Sequence, residues 1–300
     1  MPVYNGEAYL DQALDSIAGQ TWQDYEVIVS DNASTDRSAE ICLARAARDS
    51  RIRYHRNDVN IGGDRNHNRC FELSSGEYFL GLAHDDRLEP AYLERAVAAL
   101  DTDPGIVFCH SRTRTIDEAG APTGVQEPHD FSDSDRPHVR LRDAICDARN
   151  IIVGFGVSRA SVLRQTPLFK PYPSSDAFLQ ADLALRGRLH EIPEILFNRR
   201  LHDRTGHAIP MHERLAWSDP SRANELYFPT WRRIGEYLRA IARAPMGALE
   251  RLRCCVVVLA YCRERKVVPQ LLRDLRMAAR QSALRTALGR RLWKARRRPS

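Results

Sequence analysis

No apolar run in this 300-residue sequence is long: the most extended, Cys254 to Tyr261, falls far short of a bilayer's thickness. The residues after Met1 do not form a charged stretch leading into an apolar core, so no secretory leader is expected. The seven cysteines are odd in number and include no Cys-x-x-Cys pair, which argues against a disulfide framework or a zinc cluster. Cys42, Cys70 and Cys109 fall within apolar patterns, and a reducing cytoplasm fits them best. No Gly-x-Gly-x-x-Gly follows any strand-like run, which sets aside a dinucleotide oxidoreductase. Acids are missing altogether from Arg276 to Ser300, so the formal net charge of +6 describes the tail more than the fold. With 43% hydrophobic residues and no internal repeat, what remains is a globular protein with a sizeable core.

Strands alternate with helices along the first two thirds. Leu10, Ala13, Leu14 and Ile17 make a helical stripe directly after the Pro2-Val3-Tyr4-Asn5-Gly6-Glu7 opening, and no strand is expected before it. The β-branched run Tyr25 to Asp31 ends in an acid and passes through the turn residues Asn32 to Asp36 into a helix over Ser38 to Arg48. A short strand over Ile52 to His55, a loop through Gly62 and Gly63, and a helix over Asp64 to Ser74 follow. Tyr78 to Ala83 reads as a buried parallel strand that delivers His84, Asp85 and Asp86 to a sheet edge. Such alternation predicts a parallel, doubly wound α/β sheet, with ligands at the carboxyl ends of its strands.

Beyond the acidic pair, Ala91 to Leu100 reads as a helix and Gly105 to Ser111 as a strand, with a turn at Asp117 to Gly120. Thr123 to Pro137 has no periodicity and is expected as a loop serving as lid or acceptor recognition element. Val139 to Ala148 is helical, Ile151 to Ser158 a strand, Asp176 the cap of a helix ending at Arg186, and Ile192 to Arg200 a last strand. After Arg214 the patterns are helical over Arg222 to Arg243, Gly247 to Arg263 and Val267 to about Trp293.

Pro2 to Glu7, Ser16-Ile17 with Gln20-Thr21, Glu26 to Asp36, Asn60-Ile61-Gly62 with Asn66 and Asn68, Ser75 to Tyr78 and Ala83 to Asp86 resemble, in order and spacing, the family 2 glycosyltransferases with the GT-A fold. The resemblance covers residues 1–205. It implies a GT-A, Rossmann-like nucleotide-sugar-binding sheet, with residues 1–110 holding the donor, 111–205 the acceptor, and 206–300 forming a helical C-terminal extension. It further implies single transfer of a sugar, with inversion, from a nucleotide-diphosphate donor to an acceptor hydroxyl. The Gln-x-x-Arg-Trp of processive synthases is missing.

Carried over position by position, the resemblance puts Pro2, Tyr4, Asn5, Glu7, Asn32, Ser34, Gly62 and Asn66 in the nucleotide-sugar pocket, with Asp31 accepting a hydrogen bond from the base. Asp85 meets the ribose and the metal, and Asp86 is the main ligand of Mg²⁺ or Mn²⁺ on the diphosphate. Hard oxygen ligands suit both ions, and a cation stabilises the departing diphosphate without a proton. Ala83 stands where many relatives carry the first acid of an Asp-x-Asp. The acceptor-deprotonating base matches Asp176, although the acid that usually precedes it is Ser175 here. Taken alone Asp176 reads as a helix cap, and Asp182, expected on the outer face of the same helix, is the second candidate. Arg200 and His202 match an Arg-x-His that closes over the diphosphate, or else are surface residues after a strand.

Relatives carry a strand immediately before Pro2. Its omission from a central place would expose two sheet edges, so Met1 is expected to be an internal methionine or the chain a truncated form. A non-catalytic nucleotide-sugar-binding or scaffold protein is therefore the competing reading. Residues 284–298 combine Leu284, Leu288, Leu292 and Trp293 with Arg285, Arg290, Arg291, Lys294 and Arg296 to Arg298. That pattern suits the anionic inner face of a membrane, where a saccharide or lipid-linked acceptor would be met, or is simply a solvated basic end. Nucleic acid is a weaker partner, because stacking aromatics are scarce.

Overall fold

The computed structural model describes residues 1–127, 134–146, 153–203, 211–222, 228–277 and 279. Its first unit is β1 (Pro2–Val3), α1 (Leu10–Ala18), β2 (Val27–Asp31), α2 (Ser38–Ala46), β3 (Ile52–Arg56) and α3 (Gly63–Leu73). The three strands form a parallel sheet in the order β1-β2-β3. In α1 the stripe Leu10, Ala13, Leu14 and Ile17 is buried, and all five residues of β2 are buried as well. A strand does precede the first helix, against expectation. Two residues suffice, because Ser30 and Asn32 donate their backbone N–H groups to the carbonyls of Met1 and Val3 at 3.0 and 2.8 Å.

The second unit is built from β4 (Tyr78–Leu80), β5 (Arg87–Leu88), α4 (Tyr92–Thr102), β6 (Ile106–Ile116), β7 (Pro122–Val125), α5 (Pro137–Cys146), β8 (Val157–Arg159), α6 (Ala160–Leu163), α7 (Ser175–Arg186) and β9 (Arg188–Arg200). These strands make a six-stranded sheet in the order β4-β8-β6-β9-β5, with β7 pairing off β6. Only β6 and β9 are parallel in it. The expected parallel strand at Tyr78 is instead antiparallel to β8, because an apolar run reports burial and not the direction of the neighbouring chain.

Three further expectations are corrected. The start of the Thr123 to Pro137 loop belongs to β7, while 128–133 lie outside the described residues. The run from Ile151 contributes only Val157–Arg159 to a strand, since Val153–Phe155 form one 3₁₀ turn and 151–152 lie outside the described residues. Asp182 is not on an outer face: it is buried, paired with Arg186 one turn on and with Arg243 at 2.7 Å.

Arg243 belongs to α9 (Pro229–Arg243), which follows α8 (Met211–Ser218) and precedes α10 (Ala248–Glu264). Residues 267–277 are helical too, and the basic stretch 284–298 lies outside the described residues. Leu141 and Ala144 of α5, Phe178, Leu179, Ala181 and Leu183 to Leu185 of α7, Tyr237 and Ile241 of α9, and Val258 and Tyr261 of α10 share one apolar core. Thus α7 is packed against the C-terminal helices. No helix among the described residues is long and apolar enough to cross a membrane.

Candidate active site

Two turns at the carboxyl ends of β1 and β2 are stitched together. The backbone N–H groups of Asn5, Gly6 and Glu7 donate to Ser34 Oγ, Ser38 Oγ and Asp36 Oδ2 at 3.0, 2.8 and 3.0 Å. In return, Asn5 Oδ1 accepts from the Thr35 N–H and Glu7 Oε2 from the Arg37 N–H, at 2.8 and 3.0 Å. Asn5 and Ala33 sit at φ of 50° and 61°, left-handed values that these side-chain latches hold in place. The expected pocket residues Asn5, Glu7 and Ser34 therefore share one rim at the end of β1, the strand that contains Pro2, with the Tyr4 side chain exposed beside them.

Asp31 lies beneath this rim, fully buried. Its Oδ1 accepts from the Ser34 N–H at 2.9 Å, and its Oδ2 from the Tyr54 hydroxyl at 2.7 Å and Arg56 Nη1 at 2.5 Å. Burial pushes the carboxyl up, but the donors from Ser34, Tyr54 and Arg56 outweigh it and hold the group below the usual carboxylate range. Asn32 and Asn66 are buried supports of the same edge. Asn32 Oδ1 accepts from the Ile61 N–H, and the Asn66 amide bonds to Ser30 at both ends while accepting from Asn57. Asn66 thus lies beneath the rim, its amide engaged by Ser30 and Asn57.

Gly62 is closely packed as well. It has φ of 89°, and a Cβ there would stand 2.2 Å from the Ser218 carbonyl oxygen, so the end of α8 covers it. A Gly62→Ala substitution meets both a backbone clash and a left-handed conformation. It is expected to cost about 2–4 kcal/mol, read as a fall in the urea midpoint at unchanged slope.

The acidic pair lies between β4 and β5. Asp86 is buried and accepts the Arg200 backbone N–H at 2.8 Å, whereas Asp85 Oδ2 meets His202 Nε2 at 2.9 Å. Burial, and then the charge of Asp85, push the Asp86 carboxyl well above its ordinary value. Asp85 is the more accessible of the two, with His202 beside it, while Asp86 lies beneath them. Among the described residues no group of three or more His, Cys, Asp or Glu side chains is arranged for a metal. A carboxylate oxygen converging with an imidazole nitrogen nevertheless fits a divalent cation that completes its shell on substrate phosphates.

Arg200 does not reach outward. Its guanidinium donates to the carbonyls of Asp85, Asp117 and Glu118 and to Gln12 Oε1, all within 3.0 Å, and lies 4.5 Å from the Tyr9 ring centroid. The arginine that faces the acids is Arg199. Burial pulls its guanidinium below the ordinary value, while Asp86, Asp85 and Asp176 each push back. Sequence reasoning missed Arg199, although alternation along a strand puts neighbouring residues on opposite faces.

Asp176 stands in the first turn of α7, whose N-cap is Ser174 at φ of 67°, so Asp176 is not the cap. It is half-buried and its Oδ1 accepts the Ala177 N–H at 2.9 Å. Asp85, Asp86, His202 and Arg199 thus lie together on the six-stranded sheet with Asp176 within electrostatic reach, and the Asp31 rim belongs to the three-stranded sheet, whose Gly6 packs against His84.

A family model for glycosyl transferase family 2 matches residues 1–167. An uncharacterized glycosyltransferase of Haemophilus influenzae is 27% identical over 215 residues, covering 70% of this chain and 67% of the relative. An uncharacterized protein of Mycobacterium tuberculosis is 29% identical over 206 residues, 66% of this chain and 57% of its own length. Abequosyltransferase RfbV of Salmonella typhimurium is 36% identical over 120 residues, 39% of this chain and 36% of that one. Among solved structures, S. aureus TarS in complex with UDP superposes with a TM-score of 0.57 at 16% identity, over 95% of this chain and 90% of that one. The mannosyltransferase PcManGT from Pyrobaculum calidifontis, in complex with GDP-Man and Mn²⁺, gives 0.54 at 20% identity, over 97% and 78%.

Proposed function

Because the chain belongs to glycosyl transferase family 2 and has the GT-A fold, we propose that it is an inverting, single-addition glycosyltransferase using a nucleotide-diphosphate sugar. The observation that carries this reading is the contact of Asp85 with His202 at 2.9 Å, with Arg199 within electrostatic reach of Asp85, Asp86 and Asp176.

The base of the donor lies at the rim, where Tyr4 offers a ring and Asp31 an ionised carboxylate for a base N–H. The diphosphate extends toward Asp85 and His202. A divalent cation held there, Mg²⁺ or Mn²⁺, would neutralise the leaving diphosphate. Arg199 adds a fixed cation on the same side. The acceptor oxygen attacks the anomeric carbon from the face opposite the diphosphate, its proton passes to Asp176, and the bonding pair of the broken C–O bond leaves on the β-phosphate oxygen. Fixing both reactants in line makes displacement with inversion the direct outcome. The reading extends to a saccharide or lipid-linked acceptor in cell-envelope polysaccharide synthesis, met in the cytoplasm or at the inner membrane face, with 284–298 as the contact. In support of the polysaccharide setting, RfbV, similar over part of its length, is named an abequosyltransferase.

The test is a thermal-shift series of UDP, GDP, dTDP and CDP with and without Mn²⁺. One nucleotide at a hundredfold excess over its dissociation constant is expected to stabilise the protein by about 2.7 kcal/mol. That gain should need Mn²⁺ and vanish in Asp85→Ala and in His202→Ala. Equal responses with and without the metal would remove the cation site, and no response to any nucleotide would remove the donor site.

A further inference from the structure

Helix α10 is apolar on two faces. Cys254, Val258 and Tyr261, at i, i+4 and i+7, are buried in the core shared with α5, α7 and α9. Leu249, Leu252, Val256 and Leu259, at i, i+3, i+7 and i+10, turn the other way and are each 55–68% exposed. The helix over 267–277 repeats the arrangement: Val267 is buried and Leu271 packs against the same core, while Val268, Leu272 and Leu275 are 66, 50 and 47% exposed. A single exposed leucine is ordinary on a protein surface, but a periodic row on each of two consecutive helices marks a surface that something covers. Arg263, Arg265, Lys266, Arg273 and Arg276 are exposed on and between these helices. Of the acids there, Glu250 is bound by His138 and Arg253, and Asp274 is buried where its Oδ2 accepts the Thr230 N–H at 2.7 Å. Glu264 is the one exposed acid from 248 to 277, so the charge around the apolar rows is strongly positive.

We propose that the outer faces of α10 and of the helix over 267–277 form a docking surface for an anionic lipid bilayer. The aliphatic side chains enter the boundary between headgroups and acyl chains, and the bases around them meet lipid phosphates. Arginine and lysine suit that place, because their stems cover apolar surface while their charged ends stay in water. A second copy of this chain is the other occupant that such rows fit, as one helix pairs with another along an apolar seam. A twofold contact of that kind brings the face against itself, however, and sets its bases against their own copies. An anionic surface answers the apolar rows and the charge together. This surface is separate from the stretch 284–298, and it requires neither the transferase reading nor a bound nucleotide.

The experiment is flotation of the full chain with vesicles of phosphatidylcholine alone, and of phosphatidylcholine and phosphatidylglycerol in equal parts, without donor or acceptor. The wild type is expected to float with the mixed vesicles, to stay behind with the neutral ones, and to be released by salt. Leu252→Gln combined with Leu259→Gln should weaken partitioning onto mixed vesicles by roughly tenfold or more, since two aliphatic side chains no longer enter the lipid. Both positions are more than half exposed, so the variant should melt as the wild type does. Undiminished partitioning of the folded variant puts the contact elsewhere in the chain and overturns the proposal. So does a wild type that floats with neither vesicle, or equally with both. Sedimentation velocity without lipid completes the test: a dimer that the same two substitutions dissociate gives the face to a second copy and overturns the lipid reading. Because the wild-type comparison can refute the proposal alone, a variant that does not fold leaves the test decisive. Failure to float leaves the nucleotide thermal shift untouched, so this proposal and the transferase reading fail separately.

Discussion

Replacing Arg200 with methionine is expected to lower the unfolding free energy by about 3–5 kcal/mol, with the urea midpoint falling at constant slope. The side chain is 1% exposed and its guanidinium is matched to four oxygens: the carbonyls of Asp85, Asp117 and Glu118 and the Gln12 amide. Methionine fills much of the volume and supplies no donor, so these acceptors lose a charged partner in a partly dry site. The Tyr9 ring under the guanidinium loses its cation as well. Lysine at this position keeps the charge but not the planar fork, and its ammonium cannot serve acceptors spread from α1 to the β6–β7 turn. Arg200→Lys should therefore recover less than half of the loss. Full recovery would mean that charge alone matters and that the geometry is incidental. The functional consequence follows from the same contacts. Arg200 holds the main chain of Asp85, so Arg200→Lys protein that is still folded should bind nucleotide and Mn²⁺ more weakly than wild type.

The first half of the fold was legible because its signals are local. The i, i+3, i+4, i+7 stripe of α1 and the β-branched start of β2, which ends in Asp31, each report burial within one element, and each is buried. The stitches between Asn5 to Glu7 and Ser34 to Ser38 were not legible, since they join residues about thirty positions apart whose polar side chains look like ordinary turn chemistry. Arg199 and Arg200 show the limit most sharply. Both are arginines in one strand, and which of them faces the acids depends on the register of β9 against β6, where Arg200 lies opposite Ile116. Asp182 misled for a related reason: an acid in a helix reads as solvated, and the cation that accompanies it inward, Arg243, arrives on α9. The run from Ile151 to Ser158 promised a full strand, yet Gly156 is pressed against Phe108, where a Cβ would stand 2.2 Å from the ring. Close approach of backbone to a core ring limits the strand there to Val157–Arg159.

Asp176→Asn is expected to reduce kcat for sugar transfer by roughly 10²–10⁴-fold, the usual range for loss of a positioned general base. Asparagine is nearly isosteric, and its amide oxygen can still accept the Ala177 N–H, so the first turn of α7 should persist. Stability should then stay within about 0.5 kcal/mol of wild type, as for a substitution that leaves a cap and a core untouched. Donor binding should also be unchanged, because Asp176 acts on the acceptor proton. The pattern to look for is a kcat loss with the donor KM preserved and the nucleotide-induced thermal shift intact. Asp182 provides the contrast. It is buried between Arg186 and Arg243, and neutralising it leaves two cations without their counter-charge, so Asp182→Asn should destabilise by about 3 kcal/mol. Whatever activity Asp182→Asn loses should scale with its unfolded fraction. Transfer at wild-type rates by folded Asp176→Asn protein would displace the base from α7. Loss of nucleotide binding in the same variant would instead make Asp176 part of the donor site. Only the kcat loss without a binding loss keeps the acceptor-side role, and one preparation of each variant separates the three.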